Sequence, residues 1–379
     1  MTLLDELPLI DHHCHGVLRG ELTGDGVDAL LSEGGPAPAG VRNFDSPVGL
    51  AVRRHCAPVL DLPAHAPVDD YLARRAELGT AEVTRRMLRA AGTDTFLVDT
   101  GFRADELTGP AELAGLAGDP ARGPATAYPI ARLEAVADRL AGVGVEPGEF
   151  RDAFGTALAD ELAATGAVGL KSIAAYRVGL DLDPHRPAQT ELAAAVATAL
   201  GPAGRADRLA NPVITRELLW AGAECGLPIQ LHIGYGDRDV RLPRSDPALL
   251  SDLLQHLPPV PIMLLHCWPY QRQAGYLAAV WPQVHLDVGL TLGYVGPTRA
   301  AAVLAEAMEL TPFGKLLYSS DAFGLPELYL LGAHTFRTAL ARLLDERVTA
   351  GEWAAVDTRR IAELACAENA RRVYRLAAR

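Results

Sequence analysis

The sequence predicts an α/β fold of the (β/α)8 barrel class, on three observations. Its 379 residues suit one large barrel with insertions better than a minimal domain. Eight short apolar runs with strand character recur near residues 10, 97, 128, 170, 230, 264, 286 and 318, mostly separated by helical patterns. Several of these runs end in His, Lys or Asp, and in a barrel the C-terminal strand ends converge on one mouth. Two ordinary domains or a doubly wound open sheet are the alternatives; against the latter, no Gly-x-Gly-x-x-Gly follows the first run.

The first strand is Leu9-Ile10-Asp11-His12-His13-Cys14-His15. Alternate side chains of a strand share a face, so Asp11, His13 and His15 are expected together, and two imidazoles at i and i+2 can reach one divalent metal. Residues 18–75 break the rhythm. Gly20, Gly24, Gly26, Gly34, Gly35, Pro36 and Pro38 punctuate short helical pieces such as Val48–Cys56 and Val68–Leu78. This stretch reads as a helical insertion, a lid over the mouth, within a single domain spanning 1–379.

Thr80–Ala91 is a helical pattern leading through Gly92 into Thr95–Asp99 (TFLVD), a buried strand. Ala127–Ile130 is the next strand, and Leu133–Ala164 is helical around a break at Gly142–Gly148. Ala167–Ile173 carries Lys171 near its end. Residues 189–200 and 213–225 are helical, followed by the strands Pro228–His232, Pro261–His266 and Val284–Asp287. Leu316–Ser320, running into Asp321, is the eighth strand, and Thr358–Leu376 closes the chain as an Arg-rich amphipathic helix.

Composition narrows the function. Hydrophobic residues make up 49%, enough for a sizeable core, and a net charge of −12 with lysine nearly absent argues against nucleic-acid binding. The five cysteines are scattered without a C-x-x-C pair, so neither a disulfide framework nor a cysteine zinc site is implied. The N-terminus lacks a signal-peptide pattern, and no uncharged apolar run approaches the roughly 18 residues of a membrane span. A cytoplasmic protein is the expectation.

Each polar strand end has an ordinary explanation by itself. His232 or His266 could be hydrogen-bonded core residues, Asp321 a helix N-cap, and Lys171 a partner of Glu134 or Asp99. Their succession in one order is harder to explain by packing, because buried polar groups need partners and one metal with its water satisfies them together.

The pattern resembles the metal-dependent amidohydrolase superfamily: His-x-His on strand one, Lys on strand four, His on strands five and six, Asp on strand eight. Asp11-His12-His13-Cys14-His15, Leu231-His232, Leu265-His266 and Ser320-Asp321 carry the match. Finer features are similar to the amidohydrolase-2 branch, in particular the N-terminal domain of FluG- and nodulin-type proteins. They are Gly169-Leu170-Lys171-Ser172, Tyr176-Arg177-Val178-Gly179-Leu180, His266-Cys267-Trp268-Pro269-Tyr270, Ser319-Ser320-Asp321 and Glu368-Asn369-Ala370 with Val373-Tyr374.

The resemblance implies that His13, His15, His232 and Asp321 hold a divalent cation, most simply one zinc; manganese, or a binuclear site bridged by a carbamylated Lys171, is the alternative. Asp321 would also accept the proton of an attacking water. His266 would polarise the substrate carbonyl or orient the nucleophile, which makes these two the candidate catalytic residues. Asp11 would orient a ligand imidazole, and Lys171 would meet a second metal or the substrate. Arg177 is a candidate clamp for a substrate carboxylate, with Tyr176, Trp268 and Tyr270 lining the pocket. The implied activity is hydrolysis of a C–N, amide-type bond in a small, carboxylate-bearing substrate. A metal-dependent non-oxidative decarboxylase, a uronate isomerase and a non-catalytic barrel are the competing readings. By analogy, a homodimer or larger homo-oligomer is expected.

Overall fold

Seven apolar runs form one parallel sheet whose strand order follows the chain: β1 (Ile10–Cys14), β2 (Thr95–Asp99), β3 (Thr126–Arg132), β4 (Gly169–Ser172), β5 (Ile229–His232), β6 (Ile262–Leu265) and β7 (Val284–Leu286). The computed structural model describes residues 3–120 and 122–377. Apart from β3, every residue in these strands is buried, the signature of parallel strands covered on both faces.

Side-chain alternation sorts the two faces. Phe96, Val98, Ala131, Leu170, Leu231 and Leu264 pack into the main core with the surrounding helices. Ile10, Leu97, Ile130, Met263 and Leu265 form a second cluster with Ala367, Ala370, Val373 and Tyr374 from the end of the chain. The last helix, Asn369–Tyr374, therefore fills the face of the sheet opposite the surrounding helices.

The eighth strand expected near residue 318 does not form. Leu316–Ser320 makes only an isolated bridge, Leu316 with Leu286, yet it lies between the sheet's two edge strands. Leu317 N donates to Leu286 O at 2.9 Å, and His12 N donates to Tyr318 O at 3.0 Å. Two local features stop a regular ladder. Ser320 N is taken by the Asp11 carboxylate, and Asp321 adopts a left-handed φ of 51°.

The helices follow ordinary rules. Thr80–Ala91 buries Val83, Thr84, Met87, Leu88 and Ala91 on one face and stops at Gly92, φ 60°. Pro212–Glu224 starts with proline in its first turn, after Asn211, whose side chain accepts from Val213 N and Ile214 N. The closing helix is divided into Ala355–Glu363, a π turn at Leu364–Glu368, and Asn369–Tyr374.

Within residues 18–75, Gly24–Ala29, Pro47–Ala51 and Val68–Leu78 are helical, and Phe44, Val48, Val52, Leu60 and Tyr71 join the main core. A buried ion pair, Arg75 Nε to Glu327 Oε1 at 2.8 Å, with Tyr71 donating to the same oxygen at 2.9 Å, ties this stretch to the long helix Pro326–Thr349. Among the described residues, no helix is long and apolar enough to cross a membrane.

Candidate active site

Beyond the apolar layer of the inner face, the strands turn polar. Two residues after Leu97 and Ile130 come Asp99 and Arg132; Lys171 is the register partner of Arg132 on β4, and His232 lies two residues beyond Gln230, the partner of Lys171 on β5. In β1 the register shifts between Asp11 and Cys14. A local shift of this kind breaks strict alternation, so His12 and His13 both reach inner-face partners.

His13, His15, His232, His266, Lys171 and Asp321 are brought together. His13 Nε2 lies 3.0 Å from Asp321 Oδ1 and 3.2 Å from Lys171 Nζ. His15 Nε2 is 3.6 Å from Asp321 Oδ1, and His266 Nε2 is 3.3 Å from Asp321 Oδ2 without hydrogen-bonding it. The His232 and His266 rings are 4.9 Å apart. Among the described residues, donor atoms of His13, His266 and Asp321 all lie within 4.8 Å of one another, so His266 sits inside the cluster.

Burial sets the protonation states. It lowers His13 to about 3, helped by the charge on Lys171, and it lowers His232 well below the usual range. It also lowers His266. Burial alone would raise the Asp321 carboxyl, but His266, His13 and His15 override it and hold Asp321 well below the usual carboxylate range. Burial pushes Lys171 down to about 8, against the pull of Asp321 and Asp99.

A hydrogen-bond line fixes the imidazoles from behind. Gln230 Nε2 donates to His12 O at 2.6 Å and to Tyr374 Oη at 2.9 Å, which leaves Gln230 Oε1 as acceptor for His13 Nδ1 at 2.8 Å. His13 Nε2 therefore keeps its lone pair toward Asp321. Tyr374 Oη pairs with His12 Nδ1 at 3.0 Å, and His12 Nε2 with Asp287 Oδ2 at 2.8 Å. Asp287 Oδ1 accepts from His266 N at 2.8 Å and Gly289 N at 2.7 Å. That grip holds His266 at a φ of 69°, a left-handed backbone worth roughly 1–2 kcal/mol of strain for a residue with a Cβ.

Other nominated residues fall elsewhere. Asp11 orients no imidazole: with the strand register shifted, its carboxylate accepts from Ser320 N at 2.9 Å and Ser320 Oγ at 2.5 Å, steadying the turn before Asp321. Arg177 lies in the cavity wall, but Asp138 takes both of its Nη groups, at 3.2 and 2.6 Å, and Leu209 O takes Nη1 again at 2.9 Å. Both Nη groups are thus engaged within the protein, while Nε is buried without a hydrogen-bond partner. Trp268 packs edge-on to Tyr235 and is not among the cavity-lining residues, and Tyr270 donates to Leu242 O. Tyr176 does line the cavity, its ring 4.4 Å from that of His232.

The cluster opens into a cavity of about 830 Å³, whose walls include Leu30, Glu33, Phe102, Arg132, Tyr176 and Phe323. Glu33 accepts from Tyr294 Oη at 3.3 Å. Burial, with the charges of Asp321 and Asp237, pushes the Glu33 carboxyl up to about 7. In metal-free protein the folded state thus keeps a proton that the unfolded chain releases near 4.5, and stability falls as pH rises from there to about 7. Glu33→Gln should flatten that part of the melting-temperature profile, whereas an unaltered slope would mean that Glu33 is ionised throughout.

A family model for amidohydrolases matches residues 10–376. The chain belongs to the amidohydrolase family. This amidohydrolase is 34% identical over 235 residues to protein FluG of Emericella nidulans, a match covering 59% of this chain and 27% of that protein. The chain thus spans about a quarter of the curated relative it matches. It is similar to a solved Lactobacillus casei protein assigned as a metal-dependent hydrolase, with TM-score 0.81, 29% identity, and coverage of 98% of this chain and 96% of that one. The uronate isomerase of Bacillus halodurans shares the fold at TM-score 0.68 and 15% identity, covering 99% and 95%.

The family relation identifies the amidohydrolase as an enzyme of TIM-barrel-like fold and implies a divalent metal. The donor set fits one. His232 Nε2, and His266 Nε2 at 3.3 Å from Asp321 Oδ2, are buried without a hydrogen-bond partner, a cost of about 1–3 kcal/mol each if nothing meets them. Imidazoles held neutral beside an ionised carboxylate are the donors a divalent transition metal prefers.

Proposed function

We propose that this amidohydrolase hydrolyses a C–N, amide-type bond in a small, carboxylate-bearing substrate, with one divalent cation, most simply zinc. The observation that carries the reading is the division of the two Asp321 oxygens among three histidines. Oδ1 faces His13 and His15, while Oδ2 faces His266. One carboxylate can then serve as ligand through one oxygen and move a proton through the other.

His13, His15, His232 and Asp321 would hold the divalent cation, which would supply Lewis acidity toward water and a carbonyl. Asp321 Oδ2 holds the proton taken from water and returns it to the departing nitrogen. His266, fixed through its backbone by Asp287, presents Nε2 beside that oxygen and orients the reacting groups. Tyr176 covers His232 from the cavity side and limits water at the cluster. Lys171, with its ammonium lowered to about 8, remains available to an anionic substrate.

Elemental mass spectrometry on protein purified without chelator should find about one metal per chain. A panel of N-acyl amino acids should then release amine. Carbon dioxide release without amine would replace the hydrolase reading with decarboxylation. About two metals per chain would overturn the one-metal assignment in favour of a carbamylated Lys171 bridge.

A further inference from the structure

We propose that Arg132, with Lys171 beside it, forms the subsite for a substrate carboxylate next to the reacting bond. This deepens the amide-hydrolase reading and rests on it for the identity of that bond.

Arg132 is the last residue of β3, and its register partner on β4 is Lys171. Registered residues of neighbouring parallel strands project to the same face, so the two cations stand side by side on the inner face. Lys171 Nζ in turn lies 3.2 Å from His13 Nε2. An anion between Arg132 and Lys171 therefore abuts the cluster that would hold the metal.

The guanidinium is held from one side. Nε and Nη2 donate to Asp99 Oδ2 at 3.0 and 2.6 Å, and Asp99 Oδ1 accepts from Gly101 N at 2.9 Å. Its carbon sits 5.5 Å from the centre of the Phe102 ring. A Cβ at Gly101 would come 2.3 Å from Arg132 Cβ, so glycine is what lets the β2 loop close over this stem. The side chain is only 10% exposed. Nη1 is left without a protein acceptor among the described residues, and Arg132 lines the cavity. A preorganised guanidinium edge with a spare donor matches a carboxylate.

The other cavity arginines are engaged differently. Arg177 gives both Nη groups to Asp138, while Arg103, Arg139 and Arg208 pair with Glu106, Glu161 and Asp239 at exposed positions. Among these arginines, Arg132 alone neighbours Lys171 on the sheet.

The test is a calorimetric titration of glutarate and of neutral glutaramide into metal-free and metal-loaded protein, for wild type, Arg132→Lys and Arg132→Gln. Arg132→Lys keeps a charge opposite buried Asp99 and is the variant designed to fold if Arg132→Gln does not. Glutarate should bind the metal-free wild type in preference to glutaramide, and both variants should weaken glutarate about ten-fold or more while leaving the number of metals bound unchanged. Equal binding of glutarate and glutaramide by wild type would overturn the subsite, as would a folded Arg132→Lys that binds glutarate like wild type. The titration needs no turnover, so failure of the amide-hydrolysis reading would show separately, as absent amine release.

Discussion

Asp321→Asn should reduce turnover by at least about a thousandfold while leaving the fold intact. The substitution is nearly isosteric, and asparagine tolerates the left-handed φ of 51° that this position requires. The chemistry does not survive it. An amide has no basic oxygen to take a proton from water, and its weaker donor loosens the ligand set that Asp321 completes with His13 and His15. Stability should fall as well. In metal-free protein His266, His13 and His15 hold the Asp321 carboxyl well below its usual range against the cost of burial, so its ionised form stabilises the fold at neutral pH, and removing the charge should lower the apo melting temperature. Amine release, metal per chain and apo melting temperature check the three parts. Full turnover in Asp321→Asn would remove the mechanism proposed for this site.

The site residues were legible where chemistry interrupts an apolar run. Lys171, His232 and His266 each sit in or directly after a strand that is otherwise apolar or nearly so, and the structure draws them together with His13, His15 and Asp321. The strand segments themselves were visible for the same reason: TFLVD matches β2 residue for residue. Features that depend on partners from distant segments were hidden. Asp11 follows a period-two pattern that the register shift in β1 cancels, and only the approach of Ser320 shows where its carboxylate goes. Arg177 reads as a free clamp until the helix Leu133–Val143 brings Asp138 against it.

Gln230, Asp287 and Arg132 were missed, although each carried a faint signal: a polar residue inside or at the end of an apolar strand. Asp287 ends the predicted strand Val284–Asp287 just as His232 ends its own, so treating all strand ends alike would have found it; Arg132 lies two residues beyond the predicted strand Ala127–Ile130, which β3 extends to Arg132. The eighth strand was over-read. Leu316–Ser320 has strand composition, but Ser320 and Asp321 spend their backbone geometry on the site rather than on a ladder.

Asp287→Asn should cost about 2–4 kcal/mol of stability and weaken metal binding about 10–100-fold, more than Tyr374→Phe on both counts. The wild-type line has one consistent direction: Gln230 donates to Tyr374, Tyr374 to His12, and His12 Nε2 to Asp287. Asparagine at 287 can keep its oxygen on His266 N and Gly289 N, but its amide hydrogens then face His12 Nε2. His12 must move its proton to Nδ1, which points at a Tyr374 oxygen already accepting from Gln230, and the tyrosine hydrogen loses its acceptor. The alternative flip restores the His12 contact and strips the carbonyl from His266 N, releasing the strained φ of 69° that places Nε2 beside Asp321. Either arrangement leaves buried donors unmet. Tyr374→Phe removes one hydroxyl and leaves both the Gln230 bond to His13 Nδ1 and the Asp287 grip on His266 in place, so metal affinity should stay within a few-fold of wild type. Urea unfolding gives the stability difference, and chelator competition gives the affinities. Equal affinities in the two variants would mean that the Asp287 grip on His266 does not reach the ligand Asp321 through the 3.3 Å approach of His266 Nε2 to Oδ2.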